Sequence, residues 1–72
     1  MTVTLYYGRD SITKELASGS TVSALATNAN LAAIGAPTEN NRFTLDGQEV
    51  GLQYVLQDGD EIYVETRAHS KA

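Results

Sequence analysis

The most informative part of the sequence is residues 42–66, which read RFTLDGQEVGLQYVLQDGDEIYVET. Polar and apolar residues alternate near both ends of this segment, over 42–45 and over 61–66. A period of two in β-branched and aromatic residues is typical of a strand with one buried face. Between the two runs, Asp46-Gly47 predicts a tight hairpin, because glycine adopts positive φ without steric cost. The segment therefore predicts a hairpin followed by a final strand.

The connection between these strands has its own pattern. Residues 48–50 are predicted as a brief strand that completes the hairpin, and residues 51–57 as an irregular or 3₁₀ segment beneath the sheet. Asp58-Gly59-Asp60 predicts a tight turn, because aspartate and glycine favour chain reversal.

The N-terminal part of the chain predicts a second hairpin. Residues 2–7 alternate between polar and apolar, and residues 11–16 alternate again. Gly8-Arg9-Asp10 between them supplies turn residues. Alternation turns three apolar side chains inward and leaves Tyr6 outside; the inward set is Val3, Leu5 and Tyr7.

The middle of the chain predicts one helix. From Val22 onward, apolar residues recur at helical spacing and form one apolar face. Ser20 or Thr21 is expected to be the N-cap, with its hydroxyl accepting a hydrogen bond from a first-turn amide. Asparagine favours caps and turns, so whether the helix is continuous across Asn28–Asn30 stays open. Gly35 is the expected C-terminal stop.

These elements follow the order ββαββ, with a short helical turn before the final strand. We predict an α+β fold, in which a mixed sheet packs on one helix. If the first and last strands pair, they run parallel at the centre of the sheet. Residues 1–66 are expected to form a single domain, and residues 67–72 a flexible tail.

The order ββαββ resembles the ubiquitin-like β-grasp superfamily. Residues 45–50 and 55–62 are most similar to the small sulfur carriers of thiamin and molybdopterin synthesis, of the ThiS/MoaD type, and to TGS domains. Residues 21–25, which open the helix, are similar too. The resemblance covers roughly residues 2–66 and implies a β-grasp fold. It rests on turn residues and core pattern, which specify fold better than function.

The resemblance also implies a reaction that this sequence does not support. Sulfur carriers and ubiquitin end in Gly-Gly, whose carboxylate is activated, whereas residues 65–72 read ETRAHSKA and no two of the six glycines are adjacent. We therefore do not expect activation of the C-terminus, and keep a sulfur-carrier or modifier role as an alternative.

The charge and composition of the chain argue against some classes of partner. Nine acidic residues outweigh five basic ones, for a net charge of −4, which argues against a nucleic-acid partner. There is no cysteine, and no apolar run approaches the roughly 18 residues of a membrane span. We expect no membrane association and a cytoplasmic location, or one inside the host cell if the protein is viral.

No catalytic, cofactor or metal site is predicted. His69 is the only histidine, so neither a catalytic triad that uses histidine nor a site with two histidine ligands can form. Asp58, Asp60 and Glu61 could bind a hard cation through oxygen, but carboxylates beside a glycine turn are more often there for backbone reasons. The basic residues Arg67 and Lys71 are expected at a solvated end.

The exposed tyrosines give the one positive indication of function. Alternation places Tyr6 and Tyr63 on the solvent face of neighbouring central strands, and tyrosine and arginine are enriched at binding hot spots. The predicted partner-binding residues are Tyr6, Tyr63, Arg42, Thr44, Thr4 and Glu65. We expect a non-enzymatic module that binds a protein partner and is a monomer or a weak dimer. A small structural component of a virion or larger complex is a further alternative.

Overall fold

The computed structural model describes residues 1–66, which form a five-stranded sheet and two short helices. The predicted tail, with its basic residues and His69, lies outside the described residues. The elements in chain order are β1 (Thr2–Tyr7), β2 (Asp10–Glu15), α1 (Val22–Leu25), α2 (Asn28–Ala33), β3 (Asn41–Leu45), β4 (Gln48–Val50) and β5 (Glu61–Thr66).

The sheet has the strand order β2-β1-β5-β3-β4. β1 and β5 pair in parallel, and every other neighbouring pair is antiparallel. The predicted parallel pairing of the first and last strands is confirmed, and so is the α+β class with a mixed sheet. The helical layer contains two helices, so the continuity of the predicted helix, which the sequence left open, is interrupted.

Both predicted hairpin turns are present, and their backbone angles explain the residues found there. Asp46 and Gly47 have φ of 53° and 82°, which matches a type I′ turn, whose two central residues both need positive φ. Gly8 has φ of 59°, at the first loop position, where a type II′ turn places glycine. These short loops set the registers Tyr7 opposite Asp10 and Leu45 opposite Gln48.

The core lies between the inner face of the sheet and the two helices. Leu5 and Ile62 are paired on the central strands and are completely buried, as are Val22 and Leu25 of α1. Tyr7 packs against the edge of this cluster, as predicted. The other buried apolar residues are Val3, Leu31, Ile34, Ala36, Phe43, Leu56 and Val64.

The break between the helices comes before the asparagines. Thr27 caps α2, and its hydroxyl accepts a hydrogen bond from the Asn30 amide at 3.1 Å. The Asn30 side chain reaches back and donates to the Leu25 carbonyl at 2.7 Å, which satisfies an acceptor at the end of α1. Asparagine therefore acts at a helix junction, as its preference for caps predicts, but it lies in the first turn of α2.

The predicted hydroxyl cap of the first helix is wrong. Thr21 is the N-cap of α1, yet its side chain makes no capping hydrogen bond. The first two amides of α1 instead donate to the connection before β5: Val22 to the Tyr54 carbonyl at 3.0 Å and Ser23 to the Leu52 carbonyl at 2.9 Å. Because these carbonyls already satisfy the free amides of the helix start, a side-chain cap is not needed there.

Gly35 ends α2 as predicted. Its φ is 70°, and the amides of Gly35 and Ala36 donate to the carbonyls of Ala32 and Leu31 at 3.1 and 2.8 Å. This pair of bonds is the Schellman motif. Within residues 1–66, neither helix is long and apolar enough to cross a membrane.

Residues 51–60, between β4 and β5, are irregular. This agrees with the irregular alternative for residues 51–57, but the short helical turn predicted before the final strand is wrong. Thr21 and Val55 form an isolated β-bridge, and Leu56 is buried in the core. Leu52 and Val55 are each about half exposed, at 50% and 48%. The segment therefore buries one apolar residue and leaves two in contact with solvent beside α1.

Candidate interaction face

The side of the sheet that faces away from the helices is called the outer face here. Alternation along each strand determines which side chains belong to it, because successive residues point to opposite sides. Its members on the four longer strands are Thr2, Thr4, Tyr6, Ser11, Thr13, Glu15, Arg42, Thr44, Glu61, Tyr63 and Glu65.

Tyr6 and Tyr63 form the centre of the outer face. They are paired directly in the parallel register of β1 and β5. Their rings stack with centroids 4.7 Å apart and planes inclined by 12°, a separation close to the 4.7–4.9 Å or so between neighbouring strands. Tyr63 is 43% exposed. The sheet therefore holds an ordered aromatic pair in contact with solvent.

An ion pair borders the stack on the β3 side. Arg42 lies opposite Glu65 in the antiparallel register, and its Nε donates to Glu65 Oε1 at 3.0 Å while a terminal nitrogen lies 2.9 Å from the same oxygen. Thr44, which is buried beside Tyr63, donates to Glu65 Oε2 at 3.4 Å. An ion pair this exposed contributes about 1 kcal/mol or less to stability, so its main effect is to position two charged groups.

Glu61 borders the stack on the other side. The Tyr6 hydroxyl donates to Glu61 Oε2 at 3.4 Å. Partial desolvation of the phenol, followed by the negative charge of Glu61, raises the pKa of Tyr6 above its ordinary value, with smaller contributions from Tyr63 and the hydrogen bond itself. Tyr6 therefore remains a neutral hydroxyl at physiological pH.

The structure brings five of the six predicted partner-binding residues together: Tyr6, Tyr63, Arg42, Thr44 and Glu65. Thr4 is on the same face but one row away, where its hydroxyl is 3.1 Å from that of Thr13. The sequence analysis missed Glu61 as part of this face, because it was grouped with the aspartates of the preceding turn. Its position two residues before Tyr63 is the signal that places both on one face.

The aspartates of that turn have structural partners. Asp58 Oδ1 accepts a hydrogen bond from the Thr2 amide at 2.8 Å, and Asp60 Oδ2 accepts one from the Gln57 amide at 2.8 Å. Among residues 1–66, no three histidine, aspartate or glutamate side chains converge on a point where they could hold a metal ion. The two aspartates close the turn and attach it to the start of β1.

The sequence matches no family model and no curated protein. Its structure, in contrast, is similar to solved structures over nearly the whole chain. A ubiquitin from Caldiarchaeum subterraneum is 23% identical with a TM-score of 0.70, over 99% of this chain and 98% of that one. SAMP1 from Haloferax volcanii is 11% identical with a TM-score of 0.68, over 99% and 100%.

A third similar structure is that of ATBAG1 in complex with HSP70, which is 10% identical with a TM-score of 0.70. The match covers 92% of this chain but 40% of that one, so this chain corresponds to less than half of the matched protein. At these identities the likeness concerns architecture alone. The chain has the ubiquitin-like β-grasp fold, as its sequence resemblance implied.

Proposed function

We propose that this chain is a non-enzymatic protein-interaction module, which binds a protein partner through its outer face. The observation that carries the proposal is the stacked and solvent-accessible pair of Tyr6 and Tyr63 at the centre of the sheet. Aromatic residues with arginine beside them are typical of the residues that dominate binding energy at protein interfaces.

The order of this face favours binding. Immobilising a flexible side chain at an interface costs about 0.5–1.5 kcal/mol. The two rings already restrict each other by stacking, and Arg42 is already held by Glu65. Binding a partner therefore removes less conformational entropy from these side chains than it would from freely moving ones, which supports a role in recognition.

The comparisons support the same class of function by analogy. The structure of ATBAG1 with HSP70 is that of a protein bound to a protein, and it includes a domain of this fold. We infer no common partner from it. The finer predictions stay predictions: a protein partner instead of a nucleic acid or a membrane, a cytoplasmic location, a single domain over 1–66 and a monomer or weak dimer.

The test is capture of binding proteins from the native source on the immobilised chain. The wild type is compared with the double variant Tyr6→Ala/Tyr63→Ala. The matched control is Leu52→Ala/Val55→Ala, which removes two side chains about as exposed as Tyr63 from the surface beside α1, away from the outer face. Circular dichroism verifies that all three proteins are folded.

We expect a protein that is enriched by the wild type and the control but lost from the tyrosine variant. Equal capture by all three proteins would contradict the proposal and direct attention to another surface. Loss with the control alone would identify the surface beside α1 instead.

The alternative role as a sulfur carrier or modifier rests on the resemblance of residues 45–62 and on the structural likeness to SAMP1. It requires an activated C-terminal carboxylate after a pair of glycines, and no two of the six glycines in this sequence are adjacent. Incubation with ATP and an activating enzyme, followed by intact mass measurement, tests this role. A mass increase equal to an adenylate would support it, and an unchanged mass would count against it.

A further inference from the structure

The outer face is acidic. Among the described residues, four glutamates and one cationic side chain, Arg42, belong to this face; the glutamates are Glu15, Glu49, Glu61 and Glu65. The N-terminal ammonium lies 3.9 Å from Glu15, at the far end of β2. The two other cationic side chains of residues 1–66 are elsewhere. Arg9 is in the turn after β1, and Lys14 lies opposite the buried Val3, which places it on the inner side of the sheet.

The one cationic side chain of this face already has an anionic partner. Arg42 is bound to Glu65 through two of its nitrogens, at 3.0 and 2.9 Å. Glu61 has no such partner in the described part of the chain, where the one hydrogen bond to its carboxylate is the long contact from Tyr6 at 3.4 Å. A negative charge therefore remains beside the tyrosine stack.

We propose that the partner presents an arginine of a positively charged protein segment to the tyrosine stack, with its guanidinium on the exposed part of Tyr63 and within reach of the Glu61 carboxylate. The proposal rests on the proposed function, since it specifies what the outer face binds. Its basis is the combination of an exposed aromatic pair with the Glu61 carboxylate beside it, which makes no ion pair within the described residues.

Arginine suits this surface better than lysine. Its guanidinium is planar, stacks on aromatic rings and donates two parallel hydrogen bonds to one carboxylate, whereas the lysine ammonium is a compact and strongly hydrated charge. The cation–π attraction and the ion pair act on the same group. The charge of Glu61 that raises the pKa of Tyr6 also creates a negative potential at this place.

The test is titration of the ¹⁵N-labelled chain with a capped Gly/Ser peptide that carries two arginines, followed by amide chemical shifts. The same peptide with lysine at both positions is the ligand control. Glu61→Gln removes one negative charge beside the stack. Asp46→Asn removes one negative charge from the β3–β4 turn, where asparagine accepts the same positive φ, so it is the matched control for net charge.

We expect the arginine peptide to shift the amides of β1 and β5 around Tyr6 and Tyr63, and to bind about three times or more as tightly as the lysine peptide. Glu61→Gln should weaken binding of the arginine peptide about threefold or more, and Asp46→Asn should weaken it clearly less. Added salt should weaken the binding of this peptide to the wild type and to both variants. Shifts confined to other surfaces, equal binding of both peptides, or equal effects of the two variants would each overturn the proposal.

The two proposals fail separately. If the captured partner still depends on both tyrosines while the arginine peptide shows no preference for this face, the proposed function stands and the assignment of arginine is wrong. If capture does not depend on the tyrosines, the proposed function itself is wrong.

Discussion

The ionisation of the Tyr6 hydroxyl is clearly perturbed by its surroundings. Its pKa is raised in the folded protein, and in the unfolded chain it returns to the ordinary value of about 10. The folded state thus holds its proton more tightly, so this residue costs no stability at neutral pH. The free energy of unfolding falls as pH rises through about 10 and above, because the unfolded chain loses the Tyr6 proton before the folded protein does.

Ultraviolet titration of tyrosinate can test this assignment. We expect Tyr6 to ionise at higher pH than an ordinary phenol, and Tyr6→Phe to remove that component from the titration curve. Glu61→Gln should lower the pKa of Tyr6 only in part, because desolvation is the larger cause and the carboxylate the second. A Tyr6 pKa that does not change in Glu61→Gln would contradict the contact between the two side chains.

At this scale the sequence predicts faces but not contacts. A period of two was sufficient to place Tyr6, Tyr63, Arg42 and Glu65 on the same side of the sheet. It could not predict that the two rings stack, because stacking depends on the register between β1 and β5 and on the rotamers of both rings. The link between Glu61 and Tyr6 was missed for the same reason, since it joins strands that are distant in sequence.

At the scale of elements, the two helix starts differ in how their amides are satisfied. Thr27 accepts a hydrogen bond from Asn30, whereas Thr21 makes no capping bond. We expect Thr27→Ala to lower the free energy of unfolding by about 1 kcal/mol, the usual loss of an N-cap hydroxyl. Thr21→Ala should cost clearly less, because it removes only the contact with the Ser23 hydroxyl.

Urea unfolding followed by circular dichroism provides the measurement, since midpoints compare stability directly when the slope is unchanged. Both variants replace an exposed or half-exposed threonine with alanine at the same kind of position, so each serves as the reference for the other. A larger loss in Thr21→Ala than in Thr27→Ala would show that the assignment of the caps is reversed.

The sequence placed the N-cap of the first helix correctly, at Ser20 or Thr21, but predicted a hydroxyl hydrogen bond that does not form, because capping rules are local. They cannot include the Leu52 and Tyr54 carbonyls, which come from the connection before β5 and satisfy the first amides of α1. The Gly35 stop was predictable, because the residue itself supplies the positive φ that the end of the helix needs. Helix ends could therefore be predicted from neighbouring residues where no segment distant in sequence supplies the hydrogen bonds instead.

At the scale of the whole molecule, the topology could be predicted from the turn residues and from the two strands with the clearest alternation, β1 and β5. The turn at Asp46-Gly47 and the early Gly8 turn each impose an antiparallel hairpin. β5 then lies between the two hairpins and pairs with β1 on one side and β3 on the other, and its pairing with β1 sets Leu5 beside Ile62, both completely buried. The partner of the outer face could not be predicted in this way, because fold does not specify function.

A chain of this size has little stability to lose. At about 0.05–0.15 kcal/mol per residue, a domain of this length unfolds with a free energy of about 4–11 kcal/mol. Leu25 is completely buried between the helices and the sheet, whereas Leu52 is half exposed. Leu25→Ala should therefore lower the free energy of unfolding by about 2–5 kcal/mol, because the cavity adds to the lost burial. Leu52→Ala, the same change at the surface, should alter it by about 0.5 kcal/mol or less.

Urea unfolding followed by far-ultraviolet circular dichroism measures both variants, since the chain contains no tryptophan. If Leu25→Ala is too unstable to fold, Ile62→Val tests the same core with a loss of about 0.5–1.5 kcal/mol. Similar losses for Leu25→Ala and Leu52→Ala would mean that the helices do not pack on the sheet as described. A large loss confined to the core variants would instead confirm that the packing of α1 on the sheet provides much of the stability of this small domain, because Leu25 is the residue that joins the two layers.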